Sequence, residues 1–178
     1  MTSTLVLVLR FVFDLLCLLF WARFLLQASK ADFYNPISQA VVKATDPICK
    51  PLRLVLKSVG SFDVASLFVA WLIAVLGLTT ITYLIAPEYL STAVLVSGTV
   101  RALIVLTQFY FFAILIMVIA SFLAPGNYNP ALALIQQLLE PIMAPIRRIM
   151  PSMGPLDLSP MVVILIIIVV QNVLSQLG

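Results

Sequence analysis

Residues 34–63, YNPISQAVVKATDPICKPLRLVLKSVGSFD, return without a gap at 128–157 as YNPALALIQQLLEPIMAPIRRIMPSMGPLD. At this offset of 94 residues, Tyr34-Asn35-Pro36 matches Tyr128-Asn129-Pro130, and Asp46-Pro47 matches Glu140-Pro141. Pro51-Leu52-Arg53 matches Pro145-Ile146-Arg147, Gly60 matches Gly154, and Asp63 matches Asp157. Prolines, glycines and carboxylates that agree at a fixed spacing mark an internal repeat, and a repeat decides the architecture.

Around these two motifs the chain is apolar. Of its 178 residues 63% are hydrophobic and 10% charged, far from the roughly 25% charge of a soluble domain. A bilayer crossing needs about 20 apolar residues, and four runs qualify, at about 4–27, 64–86, 92–124 and 158–177. The expected fold is an all-α membrane protein of four transmembrane helices in two tandem repeats, residues 1–90 and 91–178. Each repeat is a helix, a loop with short amphipathic helices, and a second helix. Two crossings per repeat bring both halves into the membrane with one orientation, which makes the repeat parallel, about an axis along the membrane normal. Arg10 lies inside the first run rather than before it, so that run reads as a retained helix and not a cleaved leader. No small-residue pattern for lipid attachment precedes Cys17.

Short cytoplasmic loops are rich in Lys and Arg. Lys30, Lys43, Lys50, Arg53 and Lys57 fall between the first two runs, with Arg23 at the edge, and Arg147 and Arg148 between the last two. The connection after the second run carries only Glu88. Both long loops are therefore expected in the cytoplasm, with the termini outside a bacterial inner membrane.

The absence of His, with only Cys17 and Cys49 as thiols, excludes the usual imidazole and thiolate metal sites and the Ser-His-Asp and Cys-His catalytic sets. No enzyme activity, cofactor or metal is expected. The net charge of +3 does not point to nucleic acid, because the cations do not gather beside aromatic platforms. Cys17 in an apolar run and Cys49 in a basic loop are expected to be free thiols at different depths.

Within the loops each residue type has a physical task. Asn35 and Asn129 can cap a helix that Pro36 and Pro130 begin. Ile37, Ala40, Val41, Ala44 and Ile48 then recur at helical spacing, which predicts an amphipathic segment in the interface. At Asp46-Pro47 and Glu140-Pro141 the proline should interrupt that helix and the carboxylate start another. On the second short helix Lys50, Arg53 and Lys57 share one face. With Arg147 and Arg148 they form a candidate surface for anionic headgroups or an acidic partner. Gly60 and Gly154 suit a helix-ending turn, while Asp63 and Asp157 stand as N-terminal carboxylates at the next helix, with Ser159-Pro160 a later start. These residues either cap, break and turn the chain, or join as Asp46/Glu140, Arg53/Arg147 and Asp63/Asp157 into two pseudo-symmetric polar clusters.

Inside the first run Arg10 and Asp14 are four apart and can pair, though Arg10 can also snorkel to the surface. Asp14 aligns with Gln108 at the repeat offset, which would set polar groups at one depth in both halves. Arg10, Asp14, Arg101 and Gln108 form a candidate intramembrane cluster, with Gln171 and Asn172 as possible members.

The motif Asp32-Phe33-Tyr34-Asn35-Pro36, the two acidic-proline pairs, Pro145-Ile146-Arg147-Arg148 and the run from Pro151 to Pro160 resemble the YggT (YlmG) family over nearly the whole chain. These are small polytopic proteins of bacterial inner membranes and chloroplasts. The first copy departs from the family's proline-rich turn at Lys57-Ser58-Val59-Gly60-Ser61-Phe62-Asp63. The resemblance implies links to osmotic stress tolerance, cation balance and membrane organisation near division proteins, and in plastids to cytochrome maturation and nucleoid distribution. It carries no settled activity. Without His, direct haem handling is not expected. Two functions follow as expectations. One is a non-enzymatic scaffold or assembly factor that engages the bilayer, its anionic headgroups or a membrane-protein complex. The other is a homo-oligomeric or complex-bound channel or transporter component for a cation or osmolyte.

Overall fold

A computed structural model describes residues 2–123, 129–149 and 157–177. Tyr128, Gly154 and the rest of the run 150–156 lie outside the described residues. Six helices follow in order: α1 (Thr2–Ala28), α2 (Pro36–Leu52), α3 (Val64–Ile85), α4 (Ala93–Leu123), α5 (Pro130–Ile149) and α6 (Ser159–Leu177). A 3-10 turn at Pro87–Tyr89 joins α3 to α4. Helices α1, α3, α4 and α6 are long and apolar enough to cross a membrane, which makes this a multi-pass membrane protein. The 31 residues of α4 exceed the roughly 20 that a bilayer core of about 30 Å requires.

Helix α1 packs along α3, α3 along α4, and α4 along α6. Helix α2 lies on α1 and α3, and α5 lies on α4 and α6. The repeat is visible in burial. Phe20 and Ile114, Cys49 and Met143, and Val69 and Val163 are buried pairs set 94 residues apart. Small residues let the helices approach: a Cβ on Gly98 would stand 2.8 Å from the backbone of Val75, so α4 and α3 meet where no larger residue fits.

The loop helices start as their sequences require. Asn35 Oδ1 accepts the Ile37 amide at 2.9 Å, and Asn129 Oδ1 accepts that of Ala131 at 2.8 Å. Asp157 Oδ1 accepts the Ser159 amide at 2.9 Å and so caps α6. The two loops also meet, since Asn35 Nδ2 donates to the Pro130 carbonyl at 2.7 Å and the Asp32 amide donates to Gln137 Oε1 at 2.8 Å.

Two expectations are corrected. Proline does not divide the loop helices, because α2 runs through Pro47 and Pro51, and α5 through Pro141 and Pro145. Each pair is spaced by one turn on the exposed face, so the carbonyls that lose a donor there face outward rather than into the core. Gly60 ends no helix: α2 stops at Leu52, and Gly60 takes φ +60° as a corner of a tight turn closed by paired bonds between Val59 and Phe62. Cys17 and Cys49 are both buried free thiols, Cys17 donating to the Ala70 carbonyl at 3.4 Å and Cys49 packed at the loop end of the same core cluster.

Candidate functional site

At the basic end of the bundle, α1, the end of α2 and the start of α3 bring five charges together. Arg53 Nε donates to Asp63 Oδ1 at 3.2 Å, and its Nη2 holds the other carboxylate oxygen. Arg23 approaches from α1, with Nη2 3.1 Å from Asp46 Oδ1 and Nε 3.8 Å from Asp63 Oδ2, and Lys50 Nζ closes on Asp46 Oδ2 at 2.9 Å. Asp63 is wholly buried, so its side chain does not cap α3 as expected but turns to the arginines.

Burial alone would raise the Asp63 carboxyl, yet the Arg53 hydrogen bond and charge, with help from Ser66 and Arg23, hold it below its ordinary value. Asp46 is also lowered, chiefly by its hydrogen bond from Lys50, against a desolvation cost. The Cys49 thiol is raised by burial and by the nearby Asp63.

The second half builds a thinner version. Arg147 Nη1 meets Glu140 Oε2 at 3.0 Å, and its Nε meets Asp157 Oδ2 at 3.0 Å. Burial would raise Asp157, but the Ser159 hydrogen bonds and Arg147 bring it below the ordinary value. These side chains are 37–53% exposed, and the position matching Arg23 is Met117, which brings no charge from the spanning helix. The structure thus brings Asp46, Arg53 and Asp63 together in one half and Glu140, Arg147 and Asp157 in the other, with Asp46 on Arg23 and Lys50 rather than on Arg53.

Arg23 was read only as a loop-edge cation. It is 5% exposed, and its Nε and Nη1 have no aligned acceptor. The sign available in the sequence was its mismatch with Met117 inside an otherwise matched repeat.

The three-cation face on α2 does not form. Arg53 turns inward to Asp63, and Lys57 lies beyond the helix end at Leu52. What faces outward is Lys50, Lys57 and the apolar pair Leu54 and Val55, both more than 80% exposed. Arg148 and Ile149 are exposed at the end of α5.

Within the spans, Asp14 pairs with Arg101 of α4 rather than with Arg10, through Arg101 Nε to Oδ1 at 3.0 Å and Nη2 to Oδ2. Trp21 Nε1 donates to the Ala102 carbonyl at 3.0 Å. These contacts join residues 14 and 21 of α1 to 101 and 102 of α4. Arg10 is exposed and lines a small cavity of about 30 Å³ with Asp14 and Arg101. Gln108 shares with Asp14 a groove of about 440 Å³ between α1 and α4, walled by Phe11, Leu15, Phe109 and Phe112. Gln171 Nε2 donates to Thr107 Oγ1 at 3.2 Å, and Asn172 turns back to its own helix at the Ile168 carbonyl. Among the described residues no group of three His, Cys, Asp or Glu side chains is placed to hold a metal.

The architecture is that of a multi-pass helical membrane protein built from a tandem repeat, with ion pairs tying each loop helix to the spanning helix that follows it. The chain belongs to the CCB3/YggT family, matching it over residues 2–84 and again over residues 96–178, the same 94-residue step. It is 34% identical over 173 residues to the uncharacterised protein YggT of Escherichia coli K12, covering 95% of this chain and 88% of that one. An uncharacterised Pseudomonas aeruginosa protein is 36% identical over 163 residues, 88% of this chain and 83% of its own. A Vibrio alginolyticus protein, described by its place in the proC 3′ region, is 38% identical over 153 residues, 85% of this chain and 82% of its own. No solved structure matches the chain.

Proposed function

We propose that this is a non-enzymatic scaffold or assembly factor of the bacterial inner membrane, whose loop end lies in the cytoplasm and engages anionic lipid headgroups or acidic partners in support of envelope function under osmotic stress. One observation carries the reading. At the loop end the carboxylates Asp46, Asp63, Glu140 and Asp157 are held by cations, and exposed Asp32 is outnumbered by exposed Lys30, Lys43 and Lys57, so the surface turned outward is on balance cationic, and apolar with it. Lys57 and Lys50, the latter also paired with Asp46, flank exposed Leu54 and Val55, the combination that sits in a headgroup layer with its alkyl groups inserted and the Lys57 ammonium on phosphates. Orientation follows from the same cations.

The test is a Lys57→Gln variant, which spares both the Lys50–Asp46 and the Arg53–Asp63 pairs. It should insert normally, retain less phosphatidylglycerol by native mass spectrometry after mild extraction, and fail to restore growth after an osmotic shift. Unchanged lipid retention and growth would remove the reading. The groove holding Asp14 and Gln108 supports the alternative of a cation or osmolyte channel component. Its test is potassium flux from proteoliposomes, present in the wild type and altered in Asp14→Asn. The scaffold is favoured because Asp14 is already neutralised by Arg101.

A further inference from the structure

Gln108 is exposed in the α1–α4 groove, and among the described residues no group donates to its amide oxygen or accepts from its nitrogen. Three other polar side chains of the spans find partners on a neighbouring helix: Gln171 on Thr107, Trp71 on Thr99, Trp21 on Ala102. An amide facing hydrocarbon without a partner costs several kcal/mol, which is why such groups in membranes hydrogen-bond across helices. Gln108 also lies midway along the 31 residues of α4, about 22 Å from either helix end. Lipid ester and headgroup oxygens lie near the ends of such a span, so an acyl chain could fill the groove but could not satisfy the amide.

We propose that a second copy of the chain covers this groove, with the two Gln108 side chains paired across a two-fold axis along the membrane normal. Three features select a second copy. A primary amide is self-complementary, each Nε2 donating to the other Oε1. Copies inserted in one orientation carry Gln108 to the same depth, so a two-fold contact aligns the amides without further adjustment. The groove is flanked by Phe11 and Phe112, which are 67% and 57% exposed and provide side chains for the facing groove of the partner. The inference is independent of the lipid-binding reading, since it involves none of the loop cations.

The test uses the full chain in native membrane vesicles with a short bis-maleimide. Cys17 and Cys49 are buried, and the wild type is the blank. Gln108→Cys and Phe112→Cys should each yield a product of two chains, whereas Leu103→Cys, also exposed but on another side of α4, should not. In parallel, the mass of the wild type in nanodiscs should correspond to two chains and that of Gln108→Leu to one, with Gln108→Asn between them. Three results would overturn the proposal: no product above the blank at residues 108 and 112, an equal yield at residue 103, or a wild type of one-chain mass with lipid in the groove.

Discussion

Gln171 of α6 donates a hydrogen bond to Thr107 of α4 at 3.2 Å, at the positions that Gly77 and Phe13 occupy in the first half. There the same helix contact is made by shape, for a Cβ on Gly77 would stand 2.7 Å from the Phe13 ring. One half closes the helix pair by packing a ring over a missing side chain, the other by an amide and a hydroxyl. These devices have unequal worth. Interhelical hydrogen bonds in membranes average about 0.6 kcal/mol, whereas overpacking costs about 1–3 kcal/mol.

Gln171→Leu should therefore lower stability by only about 0.6 kcal/mol. Gly98→Ala should do more harm, because its new methyl meets the Val75 backbone at 2.8 Å and a backbone cannot turn aside. The clash exceeds the gain of about 1 kcal/mol in helix propensity. Denaturant unfolding in micelles, followed by tryptophan fluorescence, ranks the two.

Asp14 and Arg101 neutralise each other across α1 and α4. Leaving either alone at membrane depth costs roughly 2.5–3.5 kcal/mol on insertion scales. Asp14→Leu and Arg101→Leu should each be destabilising, and the double variant should recover most of the loss. Additive losses in this double-mutant cycle would show that the pair contributes no coupling.

Asp63 gives the fold an acid limit. Its carboxyl is held below the ordinary 3.8, so below that value the unfolded chain takes up a proton that the folded one resists. Its stabilisation is complete above 3.8 and is lost as pH falls through the lower folded-state value. Asp63→Asn should flatten the fall in stability on acidification. Asp157→Asn should flatten it less, because that side chain is 46% exposed and screened by solvent. Unfolding midpoints compared at about pH 3 and about pH 6 read the difference.

Arg23 and Arg53 share Asp63 but are not equivalent. Arg53 grips the carboxylate with two nitrogens, while Arg23 leaves Nε and Nη1 without aligned acceptors. Arg23→Met, which installs the residue found at the matching position of the second half, should cost less than Arg53→Met. Removing one member of a buried pair is costly when it strands the other charge, but without Arg23 Asp46 keeps Lys50 and Asp63 keeps Arg53. An equal loss in thermal shift would mean that Arg23 contributes more than its geometry indicates.

The four spans, the repeat and the Asn35 and Asn129 caps were legible because each rests on local chemistry: a run of apolar residues, a fixed spacing, an oxygen two residues from an amide. The loop helices were misread at Pro47 and Pro141 because what a proline costs depends on which face it occupies, and that face is set by tertiary packing. Arg10 is an available partner for Asp14 by spacing, but in the fold Arg101 of α4 takes the carboxylate. Within the ionic site, Arg53 with Asp63 and Arg147 with Asp157 could be matched by the repeat, whereas the inward turn of Arg23 required the fold.

The prolines of α2 and α5 set a waterline. Pro47 and Pro51 deprive the carbonyls of Lys43 and Pro47 of a helical donor, and Pro141 and Pro145 do the same for Gln137 and Pro141. All four prolines lie on exposed positions, so each loop helix carries along one side two oxygens without their usual helical donor. Hydrocarbon has nothing to offer them, while water and the ammonium groups of lipids do. The apolar side of each helix draws it inward and these oxygens stop it, so the depth to which either can sink is written into its backbone rather than into its charges.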